Sequence, residues 1–209
     1  MLTPFFNSIF CINLQRRKDR LAQATEEFKK HNISVEFITG VDGSTLNIPK
    51  IISADKQIVS RGDIGCAQSH LKVAMAAKNR NISKYLVLED DVEFHPNFSE
   101  LFKKFITQVP HDYQFLYFGG NHDGGTMPIT ENIVRIYHTY TTHAYAVNGT
   151  EVRDAIIEVL SQANEKVDIA IASLHHKFRS YCFKPHLAYQ RASYSDILER
   201  QTDYQHLRQ

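Results

Sequence analysis

The sequence predicts an α/β fold with a mostly parallel central sheet flanked by helices. Three observations carry this. The chain opens on a compact apolar run, Ser8 to Asn13, then a charged helical stretch, then an alternating run from Ser34 to Thr39, which is a β-α-β start. A later apolar run, Tyr85 to Leu88, follows a second helical pattern and stops at three acids. The 209 residues are 43% hydrophobic and 22% charged, the make-up of an ordinary globular chain of about one domain.

The same numbers exclude whole classes. Lys and Arg total 24 against 23 Asp and Glu, so a net charge of +1 argues against a partner held by bulk phosphate neutralisation, and no nucleic acid is expected. Thirteen Phe and ten Tyr need a core, which argues against disorder. No apolar run approaches the roughly 18 residues of a membrane-spanning helix. Cys11, Cys66 and Cys182 are odd in number and far apart, so they form neither a disulfide framework nor a paired metal motif. Reduced, packed thiols suit a cytoplasmic chain. The apolar start MLTPFFNSIFCINL lacks a basic region and a small-residue cleavage site, so it reads as a buried strand rather than a signal peptide.

Each element has its own warrant. Leu21, Ala24 and Phe28 share one helical face after Arg20, and Glu26 and Lys30 form an i,i+4 pair. Val35 and Phe37 alternate with Glu36 before the loop Gly40-Val41-Asp42-Gly43. Thr45 to Ser60 reads as a long loop with a short helix. Arg61-Gly62-Asp63 opens a helix whose buried stripe is Ile64, Ala67, Leu71, Ala74 and Met75, with Asp63 favourable to its dipole. Phe98 to Thr107 reads as helix and Gln114 to Phe118 as strand. GGNHDGGTMP, Gly119 to Pro128, reads as the most flexible stretch and as a loop able to close over a ligand, with His122 and Asp123 in it. Strands at Ile133–Tyr137 and His143–Val147, a turn at Asn148-Gly149, and helices at Glu151–Ser161 and Val167–Lys177 follow, with His175 and His176 on the surface of the last. Tyr181 to Phe183 reads as strand, and the polar tail from Glu199 is expected to fray.

The chemistry concentrates in three segments. Leu88-Glu89-Asp90-Asp91 places three carboxylates at a strand's carboxyl end, where open α/β sheets bind ligands. Two like charges ~5 Å apart cost roughly 1 kcal/mol in water and about 3 kcal/mol at an effective dielectric near 20, so such a cluster calls for a cation. Glu89 and Asp91 share a strand face, and a turn at Asp90 brings Asp90 and Asp91 to one site. Oxygen ligands of this kind suit Mg²⁺ or Mn²⁺; a solvated acidic loop tip is the plain alternative. Asn13-Leu14-Gln15-Arg16-Arg17 places guanidinium groups where a helix begins, which suits phosphate, or else a solvated basic face. Gly62-Asp63-Ile64-Gly65-Cys66-Ala67-Gln68-Ser69-His70 offers glycines for close approach to a ligand, or else a helix start with a buried His70.

Together these segments resemble glycosyltransferase family 25, through Ile12-Asn13-Leu14 with Arg16-Arg17 and Asp19-Arg20, Val41-Asp42-Gly43, Gly62 to His70, and Leu88 to Val92. Val167-Asp168 and Gln190 with Ser195-Asp196-Ile197 resemble later motifs of the family. The resemblance implies a single GT-A-type domain over 1–209: a nucleotide-binding half to about 118, an acceptor-binding half over about 119–198, and the tail 199–209. It implies a UDP-sugar donor, inversion at the anomeric carbon, and an acidic motif like Asp-x-Asp on Glu89, Asp90 and Asp91. Glu89 departs from that motif by one methylene of reach.

On this reading Asn13, Leu14, Arg16, Arg17, Asp42, Gly43, Ser69, Glu89 and Asp90 bind the donor, and Asp91 with Asp90 holds Mn²⁺ or Mg²⁺. The inverting base is expected at Asp168, with His143 second. A plain helix cap is the other role open to Asp168. The acceptor is a hydroxyl of a glycan, a lipid-linked glycan or a protein. No residue visibly reads the hydroxyl at which galactose and glucose differ. Basic and aromatic residues near the C-terminus allow peripheral contact with the inner face of a membrane. The competing reading is a nucleotide-sugar or glycan-binding protein without turnover. A receiver-like or phosphatase-like Mg²⁺ site is disfavoured, because the first strand ends in Asn13-Leu14 rather than an acid.

Overall fold

The structure is a computed structural model that describes residues 2, 4–49, 51–53, 58–162, 164–197 and 200–204. Eight strands form the main sheet: β1 (Ser8–Asn13), β2 (Glu36–Thr39), β3 (Lys84–Glu89), β4 (Phe115–Tyr117), β5 (Thr126–Pro128), β6 (Ile133–Ile136), β7 (Ala144–Asn148) and β8 (Ser180–Phe183). Their order is β2-β1-β3-β7-β4-β8-β6-β5. β1 runs parallel to β2 and β3, and β4 parallel to β8, while β7 lies antiparallel between β3 and β4. The helices are α1 (Lys18–Lys30), α2 (Arg61–Asn79), α3 (Phe98–Ile106), α4 (Thr150–Ser161) and α5 (Val167–Ala172). Among the described residues no helix is long and apolar enough to cross a membrane.

Strand alternation divides the core in two. Leu86 and Leu88 of β3, with Ala144 and Ala146 of β7, face a cluster of phenylalanines that includes Phe28, Phe98, Phe102 and Phe118. Tyr85 and Val87, with Tyr145 and Val147, face the other way, onto α2, α4 and α5. The α2 side supplies small residues, Ala67, Ala74 and Ala77, so helix and sheet approach closely. Burial on both sides explains why β3 reads as a nearly continuous apolar run. A capping box starts α2: Ser60 Oγ accepts from Asp63 N, and the Asp63 carboxylate accepts from Ser60 N.

Several expectations need correction. GGNHDGGTMP is tied down, because Asn121–His122 pairs with Thr139–Tyr140 and β5 pairs with β6. The helix from Val167 stops at Ala172 instead of running to Lys177. The turns after it drive His175 into the core, fully buried, where its Nε2 lies 3.1 Å from the Tyr117 hydroxyl and Nδ1 accepts from Thr139 N. That ring satisfies a buried phenol, so it is not a surface side chain. The expected fraying tail is a strand at Arg200–Thr202, paired with Ser193–Ser195; Leu198, Glu199 and residues 205–209 lie outside the described residues. Within Thr45–Ser60 the described part holds the end of a 3-10 turn, Gly43–Thr45, and a small ladder of Ile51–Ile52 with Ile58–Val59. Lys50 and residues 54–57 there lie outside the described residues.

Candidate active site

β1 and β3 are parallel neighbours, so their carboxyl ends emerge side by side. This juxtaposes Asn13 with Glu89-Asp90-Asp91, and the chain turns at Asp90 and Asp91. Both aspartates are buried. Asp90 is fully engaged: Oδ2 accepts from Asn13 Nδ2 at 2.7 Å and Oδ1 from Arg20 Nη1 at 2.8 Å. Asp91 Oδ2 accepts from Gln190 Nε2 and lies 3.2 Å from Arg20 Nη2. Asp91 Oδ1 is buried with no hydrogen-bond partner. Glu89 faces other groups: Oε1 accepts from Thr142 Oγ1 at 2.7 Å and lies 3.4 Å from His70 Nε2.

The electrostatics follow these partners. Burial, reinforced by the charges of Glu89 and Asp90 and opposed by Arg20, pushes the Asp91 carboxyl up to about 7. Burial also raises Asp90, against the pull of Arg20 and Asn13. Burial works to raise Glu89 too, but the contacts with His70 and Thr142 outweigh it and hold Glu89 low. The three acids are thus a fixed anion, Glu89, beside two carboxyls, Asp90 and Asp91, that burial makes reluctant to ionise.

They floor a cavity of about 710 Å³, within the usual range for ligand sites. Ile12, Leu14, Val41, Pro49 and Ile58 give it apolar walls, and Arg16, Arg20 and Arg61 give it positive charge. Of the residues expected to bind a donor, Leu14, Arg16, Asp42, Gly43, Ser69, Glu89 and Asp90 line it. Asn13 acts one step back, by orienting Asp90. Arg17 does not line the cavity; it pairs with Asp19 and, behind the wall, with the cavity-lining Asp196. Arg20, in the same basic segment, is the guanidinium that meets the acids. The i,i+3 spacing from Arg17 to Arg20 on a helix was the available signal, but which arginine faces β3 depends on how α1 docks.

Gly43 and Gly62 line the cavity, and the glycines here also serve packing. A Cβ on Gly65 would fall 2.7 Å from Val41 O and Gly43 N, and one on Gly43 would fall 2.1 Å from Arg61 O. They let α2 touch the Val41–Gly43 loop backbone to backbone. Ser69 Oγ locks the contact by accepting from Val41 N. The far wall comes from the end of the chain: Gln190, Ser195, Asp196 and Ile197 all line the cavity, and Arg16 ties Asp196 to Asp42. Asp168 and His143 do not line it. Asp168 Oδ1 accepts from Ile169 N in the first turn of α5, and the fully buried His143 directs Nε2 at the Ala188 carbonyl.

The donor set admits a hard divalent ion. Among the described residues, Asp91 Oδ1 is the one buried carboxylate oxygen without a hydrogen-bond partner, and it stands beside two further acids that line the cavity. An ion held by one or two carboxylates and completed by substrate phosphates needs little more from the protein.

Comparisons with known proteins agree with this architecture. The sequence profile described as glycosyltransferase family 25 (LPS biosynthesis protein) matches residues 6–162. Procollagen galactosyltransferase 2 of Homo sapiens is 29% identical over 163 residues, covering 68% of this chain and 26% of that protein. Putative glycosyltransferase R655 of Acanthamoeba polyphaga mimivirus is 34% identical over 142 residues, covering 65% of this chain and 44% of that protein. The chain therefore spans about a quarter of the human relative's length and under half of the viral one's. A solved glycosyltransferase involved in glycosylating the major capsid of PBCV-1 superposes with a TM-score of 0.53 at 12% identity, covering 92% of this chain and 95% of that one. That likeness establishes a GT-A-like fold. With the profile matching most of its length, the chain belongs to glycosyltransferase family 25.

Proposed function

We propose that the chain transfers a hexose, galactose or glucose, from a UDP-sugar to a hydroxyl of a glycan, lipid-linked glycan or protein acceptor, with inversion and with Mn²⁺ or Mg²⁺ bound. The observation that carries the reading is the buried, unpartnered Asp91 Oδ1 on the floor of the cavity. The apolar side of the cavity suits a nucleoside base, and Arg16, Arg20 and Arg61 suit a diphosphate. The name of the human relative, a procollagen galactosyltransferase, supports a galactose donor and a protein hydroxyl acceptor. A divalent ion at Asp91 would supply Lewis-acid neutralisation of the departing diphosphate.

The chain's own residues do the rest. Asn13 and Arg20 hold Asp90 in place, and Gln190 orients Asp91. Because Asp168 and His143 do not line the cavity, proton acceptance from the attacking hydroxyl falls to Glu89, among the described residues the cavity-lining carboxylate with no arginine ion pair. Asp168 and His143 then shape its charge.

The test is transfer and donor hydrolysis with UDP-galactose and UDP-glucose, with and without Mn²⁺, for the native chain and Asp91→Ala. Loss of about 10²-fold or more in the variant is expected, the scale of a lost transition-state electrostatic contact. Equal rates in both proteins would refute the reading. A second reading, donor binding without turnover, has its own support: Arg20 already sits on Asp90 and Asp91, and a Mus musculus relative, 29% identical over 116 residues, is named an inactive family member. Donor-dependent thermal stabilisation without hydrolysis would select it.

A further inference from the structure

Among the described residues, two groups of three His, Cys or acidic side chains bring their ligand atoms within 4.8 Å of one another. One, Cys66–His70–Glu89, belongs to the cavity described above. In the other, His122–Cys182–His186, the two histidines line a second cavity of about 540 Å³ that shares no lining residue with the first, and Cys182 is buried behind them.

Three segments build this corner. His122 sits on the short strand Asn121–His122, Cys182 on β8, and His186 in the loop that follows β8. Gly119 permits the convergence, since a Cβ there would fall 2.2 Å from Ala188 O and 3.3 Å from His186 Cβ. The two imidazoles present Nε2 to Nε2 at 3.3 Å. Two nitrogens bound tetrahedrally to one ion at 2.0–2.1 Å would stand about 3.3 Å apart. The other nitrogen of His122, Nδ1, lies 2.8 Å from Thr139 Oγ1, the kind of outer contact that fixes the orientation of a ligating ring. Cys182 Sγ is buried.

We propose that His122, His186 and Cys182 bind one borderline-soft divalent ion, Zn²⁺ in type, with a fourth position open to the second cavity. The ion takes two neutral imidazole nitrogens and a thiolate, and the Cys182 proton leaves to solvent as the metal–sulfur bond forms. Nitrogen and sulfur donors separate this site from the oxygen donors of the acidic turn. The ion would pin the Asn121–His122 strand to the loop after β8.

The full chain, stripped with chelator, should take up one equivalent of Zn²⁺ by metal analysis. With Co²⁺ it should show a thiolate-to-metal charge-transfer band. Cys182→Ser should abolish the band and His122→Ala should weaken Zn²⁺ binding at least tenfold, while Cys66→Ser and Asp91→Asn keep both. Circular dichroism checks that each variant is folded, and His186→Asn replaces any that is not. The absence of bound zinc, a cobalt spectrum without thiolate character, or a band that follows Cys66 instead of Cys182 would each overturn the proposal. None of these readouts depends on glycosyl transfer.

Discussion

Glu89 and Asp91 are two residues apart, and their surroundings differ. Glu89 meets His70 and Thr142, which hold it ionised against the cost of burial. Asp91 meets Arg20 at 3.2 Å and a glutamine amide, keeps one oxygen without a partner, and is driven up to about 7. The comparison locates the site's need for positive charge. It centres on one oxygen of Asp91, because both oxygens of Asp90 already accept hydrogen bonds, from Asn13 and from the Arg20 guanidinium.

Removing the guanidinium strikes the comparison hardest. Arg20→Ala leaves two buried carboxylates uncompensated, so a loss of about 3–5 kcal/mol is expected, read as a fall in the urea midpoint. Adding Asp91→Asn to it should restore part of that loss; no recovery would mean that α1 packing, not charge, holds the turn. The Glu89 side is probed by Glu89→Gln, which keeps the Thr142 contact but cannot accept a proton. On the proposed chemistry it lowers kcat about 10²–10⁴-fold with little change in donor affinity. Should Asp168→Asn prove the more damaging of the two, the base lies on α5 instead.

A pH series sharpens the contrast without touching activity. Asp91 has a folded pKa of about 7 against an unfolded value of 3.8, so the unfolded chain holds fewer protons between those values. Its contribution is fully present below about pH 4 and is lost as pH rises towards 7, with a slope approaching 1.4 kcal/mol per pH unit at most. Glu89, held low, acts in the opposite sense and only at more acid pH. Denaturant midpoints from pH 4 to 8 should therefore fall less in Asp91→Asn than in the native chain, and Mn²⁺ should raise the native midpoint at pH 7.5 more than that of the variant. The smallest effect is expected from Arg16→Ala. Its side chain is 45% exposed, so breaking its pairs with Asp42 and Asp196 should cost about 0–1 kcal/mol and mainly loosen the C-terminal wall.

Much of this was written locally. The apolar run of β3, its stop at Glu89, the amphipathic α1 and the capping box at Ser60 and Asp63 are patterns of period, charge and turn chemistry, legible within a few residues. So was the acidic turn itself, because side-chain alternation and a strand's end are local facts. His175 shows the same limit in reverse. A helical pattern extends it outward, but α5 ends early, and the buried Tyr117 hydroxyl, 58 residues away, claims the ring.

By itself, then, the sequence determined the α/β class, the order of its elements, and the place where carboxylates and guanidiniums gather. Tertiary structure alone decided which of them meet. Arg20 rather than Arg17 reaches the acids, Gln190 and Asp196 close a cavity about a hundred residues from the acidic turn, and Asp168 does not line it. The physical reason is that composition and period fix which face of a strand or helix is apolar. The rotation and docking of each element on the sheet, set by long-range packing, fixes which polar group stands opposite which.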